Sequence, residues 1–237
     1  MHARAVTGDA AEGCAPQTAY IGGVPGAFAL AAVALSLASP FQSSVAPLPP
    51  DVRVQLRHAH VWGPGCPVAL SNLRLLTVTH RDWDGQPQTG QLVVNKSVAQ
   101  PLQRVFRKLY RLYFPIRHLQ LDDAYGPAAK RPKDGDVSGS FECRRAAASP
   151  CTQAATTASW SNHAYGFAVD LNPVENPYVG CGQSRDPRAQ RYRDRSHHRR
   201  GMVTREVVAA FASVGWGWGG AWTGNTKDYM HFSTTGH

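Results

Sequence analysis

Ser161-Asn-His-Ala-Tyr-Gly-Phe-Ala-Val-Asp170-Leu-Asn172 places a histidine and an aspartate seven positions apart, with a glycine between them. If Phe167–Leu171 is a strand, Phe167, Val169 and Leu171 face one side while Ala168 and Asp170 face the other. Asp170 then projects from a small-residue face, with bulky residues behind it. An extended chain would hold His163 roughly 20 Å or more from Asp170, so joint action of the two requires a reversal, and Gly166 permits one. A second segment, Lys227-Asp-Tyr-Met-His-Phe232, follows the same alternation. His231 shares a face with Tyr229 and Ser233, and the apolar pair Met230 and Phe232 is expected to pack inward. Asp228 lies an odd step from His231, so it fits the bend before that strand better than the strand itself. His163, Asp170 and His231 are therefore candidate metal ligands, and Asp228 a carboxylate beside them. That set suits a hydrolytic zinc centre, which needs three ligands, an open position and a group to move protons. Each residue alone is more simply a structural core group. The joint pattern is what carries the reading.

The surroundings are those of a globular protein of 237 residues, 43% hydrophobic and 17% charged. That length suits one sizeable domain, with or without a tail. Lys+Arg 25 against Asp+Glu 16 leaves a net charge of +9. The balance is compatible with nucleic acid, an anionic membrane or an acidic wall polymer, and selects none.

Residues 1–50 read as an export signal followed by a Pro-rich linker, largely disordered, with the folded domain at 51–237. Gly26 to Ala38 is a small-residue apolar run, too short to span a bilayer, with Ser36-Leu37-Ala38 as a small-x-small cleavage candidate. Asp9 and Glu12 precede it where a positive start is usual. Export would remove Cys14 and leave Cys66, Cys143, Cys151 and Cys181, an even set with three possible connectivities. Cys143 and Cys151 bracket a short loop and are the expected pair. No C-x-x-C occurs, which argues against a cysteine zinc site.

Leu73–Thr79 and Gly90–Val94 flank Asp82-Trp-Asp-Gly85 and predict a hairpin. Asn95–Phe114 predicts a helix with Val98, Leu102, Val105, Phe106, Leu109 and Tyr113 on one face, capped by Asn95 or Ser97 and stopped by Pro115. Arg104, Arg107, Lys108 and Arg111 lie off that face and read as a solvated surface. Ile116–Leu121 predicts a strand, and Pro127–Ser140 a loop with little reason to be rigid. Arg185–Arg200, with seven arginines, reads as a mobile basic loop. Thr204–Val214 predicts a helix ended by Gly215. The irregular alternation of strands and helices points to α+β with a central antiparallel sheet and flanking helices.

Phe141-Glu-Cys-Arg144, the Ser161–Tyr178 stretch and Gly215-Trp-Gly-Trp-Gly-Gly220 through Asp228-Tyr-Met-His-Phe232 resemble the D-alanyl-D-alanine carboxypeptidase family of zinc metallopeptidases, which includes vancomycin-resistance D,D-peptidases and phage L-alanyl-D-glutamate endolysins. The resemblance runs from about Cys66 to Phe232. It implies a single hedgehog/D-Ala-D-Ala-peptidase-like domain and one Zn2+ held by His163, Asp170 and His231. It implies Asp228 as the catalytic acid/base, Arg144 as the residue steadying substrate charge, and Ser161 near the substrate. The implied partner is a peptidoglycan stem peptide, with no nucleic acid and no stable membrane span, and the protein is expected to be a secreted or envelope-bound monomer. The D-alanyl-D-alanine carboxypeptidase type is favoured; an L-alanyl-D-glutamate endopeptidase and a non-catalytic zinc-bearing wall-binding module are the alternatives. Two stretches depart from the family pattern: Asp136-Val-Ser-Gly-Ser140 looks looser than the usual lead-in, and Arg185–Arg200 is unusually basic.

Overall fold

The structure is a computed structural model that describes residues 40–237. The apolar run, its cleavage candidate and Cys14 lie outside the described residues. In chain order the strands and α-helices are β1 (Ser43–Pro47), α1 (Pro50–His58), β2 (Leu73–Arg81), β3 (Pro87–Asn95), α2 (Ala99–Arg111), α3 (Leu121–Tyr125), β4 (Arg145–Ala147), β5 (Thr156–Trp160), β6 (Ala168–Asp170), β7 (Tyr178–Gly180), β8 (Gln183–Ser184), α4 (Arg205–Ala212), β9 (Gly217–Trp218), β10 (Thr226–Asp228) and β11 (His231–Ser233). The class is α+β with antiparallel pairing. In place of one central sheet there are three three-stranded sheets, β1-β2-β3, β6-β11-β9 and β10-β7-β8, with the ribbon β4-β5.

The β2–β3 hairpin forms as its alternation predicts, pairing Leu73 with Asn95 through Arg81 with Pro87. Both faces are covered. Leu76, Val78, Leu92 and Val94 join a core with α2, α4, Val169, Leu171 and Phe232. Leu73 and Val93 instead pack with Leu56, Leu121 and Phe141. A sheet buried on both faces holds the floor of the molecule rigid, and the short strands β6 and β11 are laid on it by Val169 and Phe232. Phe232 stacks on Phe211 of α4 with ring centroids 3.9 Å apart.

Several expectations require correction. Ser43–Pro47 is no linker: it pairs antiparallel with β2, and Pro50 opens α1, where a missing N–H costs nothing. Helix α2 is shorter than its periodicity suggests. Its cap position is Val98, without a side-chain cap, and it ends at Arg111, because Tyr113 takes φ +54°. Tyr113 is 63% exposed, and Tyr110 fills the core in its place. Residues 116–121 make a single isolated bridge, at His118, and no strand, and Leu121 begins α3. The Arg185–Arg200 segment is anchored: it contains a 3-10 helix at Pro187–Tyr192 with Ala189 and Tyr192 buried. Arg185 donates to the carbonyls of Ser149, Thr152 and Ala154, and Arg195 to those of Glu175 and Val203. Arg185 and Arg195, tied to several carbonyls each, act as struts.

The cysteine pairing also differs from expectation. Cys66 bonds Cys143, and Cys151 bonds Cys181. Cys143 also donates its N–H to Val61, which holds it to the chain that leaves α1, away from Cys151. The Cys66–Cys143 link closes 77 residues, for which chain-entropy loss in the unfolded state is worth about 4 kcal/mol. The double variant Cys66→Ser, Cys143→Ser is expected to lose stability of about that size, measured by denaturant unfolding against the wild-type chain.

Candidate metal centre

His231 sits directly opposite Asp170 in the β11–β6 ladder, Phe232 opposite Val169, and Ser233 opposite Ala168. Cross-strand partners share a face, so one register brings the acid and the imidazole together while their neighbours enter the core. His163 arrives from a 3-10 helix at Asn162–Tyr165, capped by the Ser161 side chain, which accepts from the His163 N–H. The reversal expected at Gly166 is present, with φ +72°. A Cβ there would lie 2.6 Å from the Asn95 nitrogen, so the turn is both left-handed and pressed on the end of β3.

The three side chains converge. His163 Nε2 lies 3.1 Å from Asp170 Oδ2, His231 Nδ1 3.1 Å from Asp170 Oδ1, and the two ring nitrogens are 3.3 Å apart. A tetrahedral ion with ligands at about 2.0–2.1 Å requires ligand atoms about 3.3 Å apart, so the donor set fits zinc in kind and the histidine pair fits it in spacing, while each imidazole meets a different Asp170 oxygen. Ligand-bearing atoms of these three residues all lie within 4.8 Å of one another. The far ring nitrogens are also engaged. His163 Nδ1 donates to the Ser140 carbonyl, and His231 Nε2 lies 3.4 Å from the His237 carbonyl. Such outer contacts fix tautomer and ring orientation for metal binding.

Asp228 ends β10, one bend before β11, rather than lying in the bend. Its Oδ1 is buried and has no hydrogen-bond partner. Arg144, Ser161, Tyr178, Trp222, Asp228 and His231 line one cavity of about 250 Å³ with His163. Arg144 donates through Nε to Glu142 at 2.8 Å, which leaves its terminal nitrogens nearer the cavity with only the Arg145 carbonyl at 3.3 Å. Five of the six residues singled out in the sequence thus border this space, and Asp170, bonded to both histidines, lines the adjoining cavity with His163.

The electrostatics are those of a cation site. Burial would raise the Asp170 carboxyl, but the charge of His163 and the hydrogen bonds of both histidines outweigh it and hold Asp170 far below its ordinary value. Burial, then the Asp170 charge, pushes Asp228 up to about 7, against the pull of His231 and Arg144. Burial would lower His231, yet its bond to Asp170 and the acid charges raise it.

The sequence reading missed the cavity walls. Tyr178 and Trp222 stand T-shaped with centroids 6.3 Å apart, and Trp222 lies 6.0 Å from His231. The Gly/Trp-rich composition around Trp222 marked the segment without assigning it a place. The tract Asp136–Ser140, expected to be loose, is fixed: Gly139 and Asp170 exchange both backbone hydrogen bonds, and Ser140 Oγ donates to the Ala168 carbonyl. No local pattern announces that its role is to support β6 and aim His163.

Two imidazoles bonded to one carboxylate, with a second acid whose Oδ1 has no partner in the cavity the imidazoles line, form an arrangement that metal-dependent hydrolases use. Residues 154–234 match the family model described as D-alanyl-D-alanine carboxypeptidase, so the peptidase resemblance read from the sequence motifs is borne out over that segment. The match contains Ser161, His163, Asp170, Asp228 and His231, while Arg144 precedes it by ten residues. No curated protein and no solved structure matches the chain.

A pH dependence follows for protein stripped of metal. Asp228 is raised in the fold, so its contribution is present below about pH 4 and is lost as pH rises towards 7. Asp228→Asn is therefore expected to melt with wild type near pH 4 and above it at pH 7.5, in thermal scans with a chelator present.

Proposed function

We propose that this chain is an exported zinc-dependent peptidase that hydrolyses an amide bond in peptidoglycan stem peptides, of the D-alanyl-D-alanine carboxypeptidase type. The observation that carries the reading is the buried, partnerless Oδ1 of Asp228 in the same cavity as His163 and His231, with Asp170 bonded to both imidazoles. His163, Asp170 and His231 are the proposed ligands; the fold is read as a single hedgehog/D-Ala-D-Ala-peptidase-like catalytic domain. Two disulfides support an oxidising compartment. No described helix is long and apolar enough to cross a membrane.

Zinc, when bound, would supply Lewis acidity and bring the pKa of water from roughly 16 towards about 7. Asp228 Oδ1 takes the proton of the attacking water as its oxygen bonds to the peptide carbonyl carbon, and returns that proton to the amine nitrogen as the carbon–nitrogen bond breaks. Arg144 faces the negative charge that grows on the carbonyl oxygen, a contribution of about 3–4 kcal/mol for one well-placed donor. Glu142 steadies Arg144 through the Nε bond. Ser161 and Trp222 border the substrate, and Trp222 offers an apolar wall suited to a methyl side chain.

One observation favours a second reading, endopeptidase action of the L-alanyl-D-glutamate kind. A cavity of about 450 Å³ continues past His163 and Asp170, between Tyr125, Arg131 and Glu142, and leaves room for a chain on both sides of the metal. A zinc-bearing binding module without activity is disfavoured by Asp228, since a structural ion needs no proton acceptor.

Purified protein incubated with defined muropeptides, with and without chelator, separates these readings by product mass. Release of single D-alanine supports the first, cleavage after L-alanine the second, and absence of both products the binding module. Asp228→Ala is expected to keep one zinc per chain by metal analysis while losing at least about 100-fold in rate. His231→Ala is expected to lose the metal itself.

A further inference from the structure

The exposed side of α2 carries Arg104, Arg107, Lys108 and Arg111, all solvent-exposed. Their spacing is i, i+3, i+4 and i+7, which sets them in one stripe along the helix, roughly 10 Å long at 1.5 Å per residue. The chain has no acidic residue between Asp84 and Asp122. Among the described residues no carboxylate forms an ion pair with any of the four. Like charges at these spacings repel. Lys108 and Arg111 offset this by facing the negative end of the helix dipole, and Lys108 also donates to Ser213 Oγ. Arg104 and Arg107 lie too early in the helix for that benefit. At the far end of the stripe a cavity of about 360 Å³ adds His198 and Arg200 beside the exposed Leu112 and Tyr113, with Glu206 on its wall.

We propose that this stripe is a docking surface for a linear phosphodiester polyanion of the cell envelope, held through its backbone charges. Charge complementarity selects a polyanion, and the stripe's length suits two or three successive phosphates. Within the stripe the aromatic residues Phe106 and Tyr110 are buried, and exposed Tyr113 beyond its end is covered on one face by the Arg81 guanidinium, so the cations carry no run of stacking rings of the kind single-strand binders use. Two disulfides fit an oxidising compartment, and the choice of a wall polymer over nucleic acid rests on the export to the envelope proposed above. The inference does not rest on the catalytic reading. The buried side of α2 packs in one core with Val169, Leu171 and Phe232, the inward residues behind Asp170 and His231. The stripe therefore faces away from the metal centre, and docking there leaves the cavity open.

The test measures binding of the full chain to poly(glycerol phosphate) across a salt series. Two or three neutralised phosphates predict a slope of log K against log salt of about −2, a loss of about 15-fold between 50 and 200 mM. The triple variant Arg104→Gln, Arg107→Gln, Arg111→Gln is expected to flatten that slope to about −1 with its melting temperature retained. A control with equal charge loss, Arg57→Gln, Lys130→Gln, Lys133→Gln, is expected to keep it. Absence of salt-dependent binding, or equal losses in both triple variants, overturns the proposal. Tenfold tighter binding to charge-matched single-stranded DNA than to poly(glycerol phosphate) also overturns it, since bases would then be recognised.

Discussion

Everything at the proposed metal centre depends on the pairing of Asp170 with His231 across β6 and β11. A one-residue slip in that ladder would turn both polar side chains into the core and both Val169 and Phe232 out of it. The apolar partners prevent this. Phe232 is wedged against Phe211 and Trp218, and Val169 against the α2 face, so hydrophobic burial selects the register and the register delivers the ligands. Two three-residue strands could not hold a register by backbone bonds alone. The ring and carboxylate geometry is thus a by-product of core packing a few ångströms below.

The third ligand is secured by a different device. His163 lies on a single 3-10 turn whose end, Gly166, is left-handed and pressed on Asn95. Asn95 closes the contact from its own side, donating its N–H to the Gly166 carbonyl and its side-chain amide to Tyr165. The imidazole is then oriented from behind by the Ser140 carbonyl. Rigid hairpin, tight turn and supporting tract each remove one degree of freedom, which is what preorganisation of a site requires.

The sequence made the centre legible because its chemistry follows period-two alternation. The split of Val169 and Leu171 from Asp170, and of Phe232 from His231, could be read directly, and so could the need for a turn at Gly166. Met230 did not follow its pattern; it stays half-buried beside Pro173 and Pro177 because the chain is still bending there. Segments governed by long-range partners were not legible. Residues 43–47 became a strand because β2 offers them an edge, and Pro-rich composition cannot report that. Asp136–Ser140 and Arg185–Arg200 are polar by composition, yet their groups are consumed by backbone carbonyls, bridges and buried amides. The disulfides followed spatial neighbours, with Cys66 and Cys143 far apart in sequence and adjacent in space.

Asp170 and His231, 61 positions apart, are joined through the sheet and not along the chain. Their alignment is consequently indifferent to the length of the intervening chain. Exchanges at Tyr178 or Trp222, which lie within that interval and line the cavity, would reshape its wall while the candidate ligand pair keeps its place. Such a fold separates the part that must be conserved from the part free to diverge, and new substrate preferences can evolve on the second without rebuilding the first.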